Sequence, residues 1–144
     1  MTMTILVGMP GAGKSTYAKD IKGEVVNQDT LGNRQKCINK VRALLSEGKN
    51  VIIDRTNINR KQRAIWTNLA KEFKVERIEC IELRISPELA IERIKNRKNH
   101  PTIKEDFTLE KIKDIVGRFV KEYEEPKMDE GFISYSVIHI DNLR

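Results

Sequence analysis

The chain has 144 residues, 39% hydrophobic and 33% charged, with a formal net charge of +6. This composition fits one compact soluble domain and excludes a disordered chain. It also excludes a helical membrane protein, since no apolar run approaches the roughly 18 residues a span requires. The charge is uneven: residues 1–104 carry +10 and residues 105–131 carry −4. A basic face suits a polyanion such as nucleic acid, and general solubility explains it equally well. Cys37 and Cys80 have neither metal-type spacing nor the number a disulfide framework needs, so reduced thiols in a cytoplasmic protein are expected. The opening MTMTILVGMPG has no basic residue before its short apolar run, which argues against a signal peptide.

In chain order, TILVG (4–8) reads as a buried strand that runs into the Gly-rich GMPGAGKS (8–15). A short helix follows over 14–21. EVVNQD (24–29) is a second strand ending on Asp29. Ile38, Val41, Leu44 and Leu45 have helical spacing, and Gly48 closes that helix. NVIID (50–54) is a third buried strand, after which Asn59 can cap a helix carrying Ile65, Trp66 and Leu69.

VERIECIELRI (75–85) gives a fourth strand, and Ser86-Pro87-Glu88 starts a helix carrying Leu89, Ile91 and Ile94. Leu109, Ile112, Val116, Phe119 and Tyr123 form the longest apolar stripe, stopped by Pro126. YSVIHI (135–140) closes as a fifth strand. Strands alternating with helices predict right-handed βαβ units and a five-stranded parallel sheet. Ligands of such sheets bind beyond the carboxyl ends of the strands. The Gly-rich loop, Asp29 and Asp54 all fall at such ends, so one crevice is expected to gather them.

Gly8, Gly13, Lys14 and Ser15 satisfy G-x-x-x-x-G-K-[ST] between a predicted strand and a predicted helix. Glycines let backbone N–H groups turn toward phosphates without a clashing Cβ. Gly11, Ala12, Gly13, Lys14, Ser15 and Thr16 are the expected cradle for a nucleoside triphosphate, with Lys14 on the β- and γ-phosphates and the Ser15 hydroxyl on Mg²⁺. Asp29 is placed to orient or deprotonate an attacking hydroxyl, or to cap a helix starting near Leu31; both readings stand. Asp54 ends an apolar strand, the layout of a second Mg²⁺ ligand, with Thr56 and Asn57 beside it; a strand-ending Asx turn is the lesser alternative. Residues 84–104 hold six Lys/Arg and two Glu. Arg93 and Arg97 share one helical face there and could close as a lid over a transferring phosphoryl group. Taken alone, the segment reads more simply as an exposed helix laced with salt bridges. His100 reads as a surface or hinge residue.

VGMPGAGKSTYAK, VVNQDTLGNRQKC, GKNVIIDRTNINRKQR and EYEEPKMDEGF together resemble the 5′-hydroxyl polynucleotide kinase domain of the P-loop phosphotransferases, over nearly the whole chain. The resemblance implies a P-loop, adenylate-kinase-like three-layer α/β sandwich with a short basic lid, residues 1–144 forming a single kinase module without fused phosphatase or ligase domains. It implies transfer of the γ-phosphate of ATP, or another nucleoside triphosphate, to a 5′-OH end of DNA or RNA. In that pattern Asp29 is the general base, Lys14 and Ser15 serve the phosphates and Mg²⁺, and Arg93 and Arg97 are the lid arginines. Asp54, Thr56 and Asn57 form the D-x-T-N turn on the acceptor side. Two departures stand out. Gln28 occupies a position that often holds arginine, and Gly32 occupies one where the phage pattern has an acceptor-gripping arginine, a role that falls to Arg34 here. A small-molecule or tRNA-linked kinase of the same superfamily is an alternative, as is a nucleotide-binding regulator. Asp29 and the paired arginines argue against the regulator, which needs no base for an organic hydroxyl.

Overall fold

The computed structural model describes residues 1–96 and 108–143. Five strands form one all-parallel sheet: β1 (Thr2–Val7), β2 (Glu24–Asn27), β3 (Val51–Asp54), β4 (Arg77–Arg84) and β5 (Ser134–His139), in spatial order β2-β3-β1-β4-β5. The helices are α1 (Lys14–Ala18), α2 (Gln28–Leu31), α3 (Arg34–Ser46), α4 (Arg60–Glu72), α5 (Pro87–Asn96) and α6 (Leu109–Glu122). Two 3₁₀ turns, Met128–Glu130 and Ile140–Leu143, flank β5.

β1 is central because its apolar run needs cover on both faces. On one face Met3, Ile5 and Val7 pack with Val51, Ile53 and Cys80 beneath α3 and α4, around a fully buried Trp66. On the other, Leu6 and Ile52 meet Ala18 of α1. Further along that side Leu83 and Ile85 pack with Leu89, Ala90 and Ile94 of α5 and Ile112, Val116 and Phe119 of α6. The result is a three-layer α/β sandwich. No described helix is long and apolar enough to cross a membrane.

The helix caps follow the sequence closely. Asn33, Asn59 and Thr108 each accept a backbone N–H from the third residue onward, at 2.8, 2.9 and 3.2 Å. Some expected boundaries shift. β2 ends at Asn27, and Gln28 and Asp29 wind into α2 instead of prolonging the strand. The reason is local: the Asn27 side chain accepts the Thr30 N–H at 3.3 Å and starts a helical turn. Val25 is 41% exposed because β2 is an edge strand. Leu109, expected in the apolar stripe, is 43% exposed in the first turn of α6. α6 ends at Glu122, ahead of Pro126, because Tyr123 turns extended and Glu124 N–H bonds the Ile58 carbonyl at 2.9 Å.

Candidate functional site

The parallel sheet brings the carboxyl ends of β1, β2 and β3 side by side, and Asn27 of β2 lies in register with Asp54 of β3. The loop after β1 bends through Gly11 at φ +90° and Gly13 at φ +91°, a region that L side chains avoid. It is also tightly held. A Cβ on Gly8 would lie 2.9 Å from the Leu83 carbonyl, and one on Gly11 would lie 3.0 Å from the Ala90 carbonyl of α5. Gly8 N–H donates to the Thr56 carbonyl at 3.2 Å, tying the loop to the turn beyond β3. Ala12 is buried, whereas Ser15 and Thr16 are exposed at the start of α1, which no side chain caps. Lys14 Nζ donates to the Met9 carbonyl at 3.1 Å across the loop.

Asp54 is buried, and one oxygen accepts two hydrogen bonds, from Ser15 Oγ at 2.8 Å and from Asn27 Nδ2 at 2.7 Å. Ser15 and Asp54, each expected as a Mg²⁺ ligand, are thus in hydrogen-bond contact. Asn27 was not among the expected site residues; its signal was the polar residue at the end of an apolar strand, beside QD. A hydroxyl and a carboxylate in contact are hard oxygen donors, as Mg²⁺ prefers. Among the described residues no cluster of three His, Cys, Asp or Glu forms a metal cage.

Arg93 of α5 reaches the loop, its Nη1 donating to the Gly11 carbonyl at 3.4 Å. Arg97 and His100 lie outside the described residues. Asp29 lies in α2, directly beyond β2, but its side chain is outside the described set. The capping alternative for it fails on backbone placement: Asn27 starts α2 and Asn33 caps α3, so Asp29 occupies neither cap. Arg34 opens α3 and is exposed.

Asn57, expected to line the acceptor side, is only 1% exposed. It adopts the left-handed backbone at φ +47°, which asparagine tolerates. Its amide donates to the Leu6 carbonyl at 2.7 Å and accepts the Trp66 indole N–H at 2.8 Å. Its carbonyl accepts Arg63 Nη1 at 2.9 Å. The side chain is thus spent on joining β1 to α4. Thr56 is half-buried beside it.

Arg63 is wholly buried and forms a bidentate pair with Glu130, at 2.9 and 3.2 Å, and Glu130 also accepts the Lys127 N–H. The EPKMDE string is therefore structural, locking the turn before β5 to the D-x-T-N turn. Next in chain after Asp54, the Arg55 guanidinium stacks over Trp66, 5.7 Å from the ring centroid, and its Nη2 donates to Gln28 Oε1. Burial lowers the Arg55 pKa, the Cys37 thiol partly opposes this, and the charge of Arg34 adds a smaller lowering.

A cleft of about 240 Å³ opens beside Gly8 and Met9, between the end of β4 and α6. The buried Glu82 at its wall is saturated. It accepts the hydroxyls of Tyr123 and Tyr135 and pairs with Arg84 at 2.7 Å. Burial and Glu82 push the Tyr123 hydroxyl up to about 12. Glu82 thus has no free oxygen with which to serve as a second base, and Arg84, counted in the basic segment, is committed to it.

A family model described as AAA domain matches residues 34–122. The chain is 33% identical over 147 residues to a bifunctional polynucleotide phosphatase/kinase of Schizosaccharomyces pombe, covering 85% of this chain and 35% of that protein. It is 34% identical over 135 residues to a putative bifunctional polynucleotide phosphatase/kinase of Acanthamoeba polyphaga mimivirus, covering 90% of this chain and 31% of that one. The chain thus spans about a third of the length of these relatives. Among solved structures, a gluconokinase from Sinorhizobium meliloti 1021 superposes with a TM-score of 0.65 at 15% identity, covering 96% of this chain and 82% of that one. That likeness concerns the fold alone.

Proposed function

The chain belongs to the AAA-domain family of P-loop proteins, and we propose that it is an ATP-dependent kinase of polynucleotide 5′-hydroxyl ends. The observation that carries this reading is the joint at Asp54. One carboxylate ties the phosphate-loop serine to the end of β2, and Asp29 follows two residues on in α2. This arrangement supports a reading in which donor and acceptor share one crevice. Relatives named polynucleotide phosphatase/kinase, matched over 85% and 90% of this chain, support the reading.

Phosphoryl transfer is mostly positioning and charge stabilisation. The phosphate loop holds the triphosphate, and Lys14 and Arg93 offset the charge that builds on the γ-phosphoryl oxygens. Ser15 and Asp54 would hold Mg²⁺, which when bound neutralises charge on the phosphates. The 5′-oxygen attacks the γ-phosphorus as the bond to the β-phosphate oxygen breaks. Asp29 takes the hydroxyl proton, and the nucleoside diphosphate leaves.

Label from γ-labelled ATP is expected on a 5′-OH oligonucleotide and not on its 5′-phosphorylated counterpart, with DNA and RNA run side by side. Asp29→Asn should lower kcat by about 10²–10⁴-fold while ATP binding persists. Label appearing only on small hydroxyl metabolites overturns the polynucleotide reading, and unchanged turnover in Asp29→Asn removes Asp29 as the base.

A further inference from the structure

The cleft beside the phosphate loop sits where the sheet reverses its winding. β1 leads through α1 to β2 at one edge, and β4 leads through α5 and α6 to β5 at the other. The two loops diverge and leave a crevice between the carboxyl ends of β1 and β4, the place where open α/β sheets take their ligands. Met9 lines it from the β1 side, Leu83 and Arg84 from β4, and Phe119, Val120 and Tyr123 from the end of α6.

Its chemistry suits a flat, neutral ring. Phe119 and Tyr123 stack with ring centroids 5.6 Å apart. Tyr123 is fixed in place, since its hydroxyl donates to Glu82 and accepts Arg84 Nη2 at 3.3 Å. Aromatic rings held this way form a platform on which a base stacks at little entropic cost. Arg84 Nε donates to Glu82 at 2.7 Å, and Nη2 turns to the hydroxyls of Tyr123 and Tyr135. Its Nη1 makes no hydrogen bond among the described residues, and the side chain is 38% exposed, so one donor stays open. Glu82 already neutralises the Arg84 charge, so that donor favours a ring nitrogen or carbonyl over a further anion.

Size and place select the ring. The cleft of about 240 Å³ falls short of the roughly 300 Å³ at which pockets take a whole small molecule. It suits one ring of a longer ligand whose remainder lies outside. Lys14, which in the proposed reaction meets the β- and γ-phosphates, donates to the Met9 carbonyl at 3.1 Å. The cleft therefore borders the γ end of the donor. The donor's own nucleoside lies beyond its α-phosphate, at the opposite end, which leaves the ring of the acceptor.

We propose that this cleft is a base subsite: the nucleobase of the nucleotide bearing the attacking hydroxyl stacks against Phe119 and Tyr123, and Arg84 Nη1 donates to its edge. This rests on the reading of the chain as a nucleic-acid kinase. It gives the enzyme a means of favouring an end that carries a base over a bare sugar hydroxyl.

The test uses the full chain and 5′-OH oligonucleotides with 2-aminopurine at the 5′-terminal or an interior position, or with an abasic 5′-terminal residue. Stacking quenches 2-aminopurine, so binding to wild type should dim the terminal probe and leave the interior probe close to its free brightness. The abasic end should be phosphorylated with a kcat/KM about 10–100-fold below that of the intact end, the loss of one stacked base. Val120 is 52% exposed, so Val120→Trp fills the cleft from its surface and should bring the ratio between intact and abasic ends close to one. An abasic end phosphorylated as well as the intact one, a ratio left at its wild-type value in Val120→Trp, or a probe dimmed equally at both positions overturns the inference. If wild type phosphorylates no nucleic acid, a terminal probe that still dims selectively keeps the base site while the kinase reading falls. A terminal probe that does not dim overturns the site, whatever the kinase assay shows.

Discussion

Arg55 and Arg63 sit on either side of one turn and show two different uses of a buried guanidinium. Arg63 is sealed in. Glu130 neutralises it bidentately, the Asn57 carbonyl takes a third hydrogen bond, and none of its surface meets solvent. Arg55 is half-open, stacked on the Trp66 ring and bonded to a neutral amide. Both regions share the 54–57 turn, so the closed one braces what the open one presents. The contrast teaches that charge compensation separates a sealed structural arginine from one left open at a strand end. Exposure alone would not, since Arg42 and Arg60 are more exposed than Arg63 and are paired with Glu72 and Asp129.

The comparison breaks most severely at Glu130. Glu130→Gln strands the Arg63 charge in the interior and should cost about 3–5 kcal/mol, measured by denaturant unfolding. The neighbouring Asp129→Ala, which removes only an exposed pair, should scarcely move the melting temperature. Next comes Asn57→Ala. It leaves the Trp66 indole N–H without its partner and puts alanine at a left-handed backbone, costing roughly 1–3 kcal/mol in the same measurement. On the open side, Asn33→Ala removes the cap of the helix that presents Arg34 and should cost about 1 kcal/mol. A small stability effect is also expected at Arg55. Arg55→Met keeps an apolar stem over Trp66 and removes an uncompensated cation, so stability should change by less than about 1 kcal/mol. A loss at Arg55 as large as that at Glu130 would erase the distinction between the two arginines.

The strands, their order along the chain and the phosphate loop are legible from local pattern, because each depends on residues a few positions apart. TMTILV is apolar on both faces, so it reads as a central strand before any contact is known. Ser15 and Asp54 are each legible by motif, and they meet at 2.8 Å. Asn27 was missed because its side chain bonds Asp54, 27 residues away, through strand register. β2 was read two residues too long because a single side chain–backbone bond at Thr30 outweighs the apolar run. Asn57 was read as facing a ligand because D-x-T-N shows adjacency and not direction; its left-handed backbone turns the amide inward.

The sequence by itself determined an α/β chain, a triphosphate-binding loop and a set of polar residues at strand ends. It could do so because helical and strand periodicity, glycine conformational freedom and capping are local physics. Which of those polar residues are buried and paired, and which stay open, was decided only by the tertiary structure. Burial and charge pairing are properties of neighbours brought together from far apart in the chain. Glu130 closes over Arg63 from 67 residues away, while Arg55 rests on Trp66 and bonds a neutral amide.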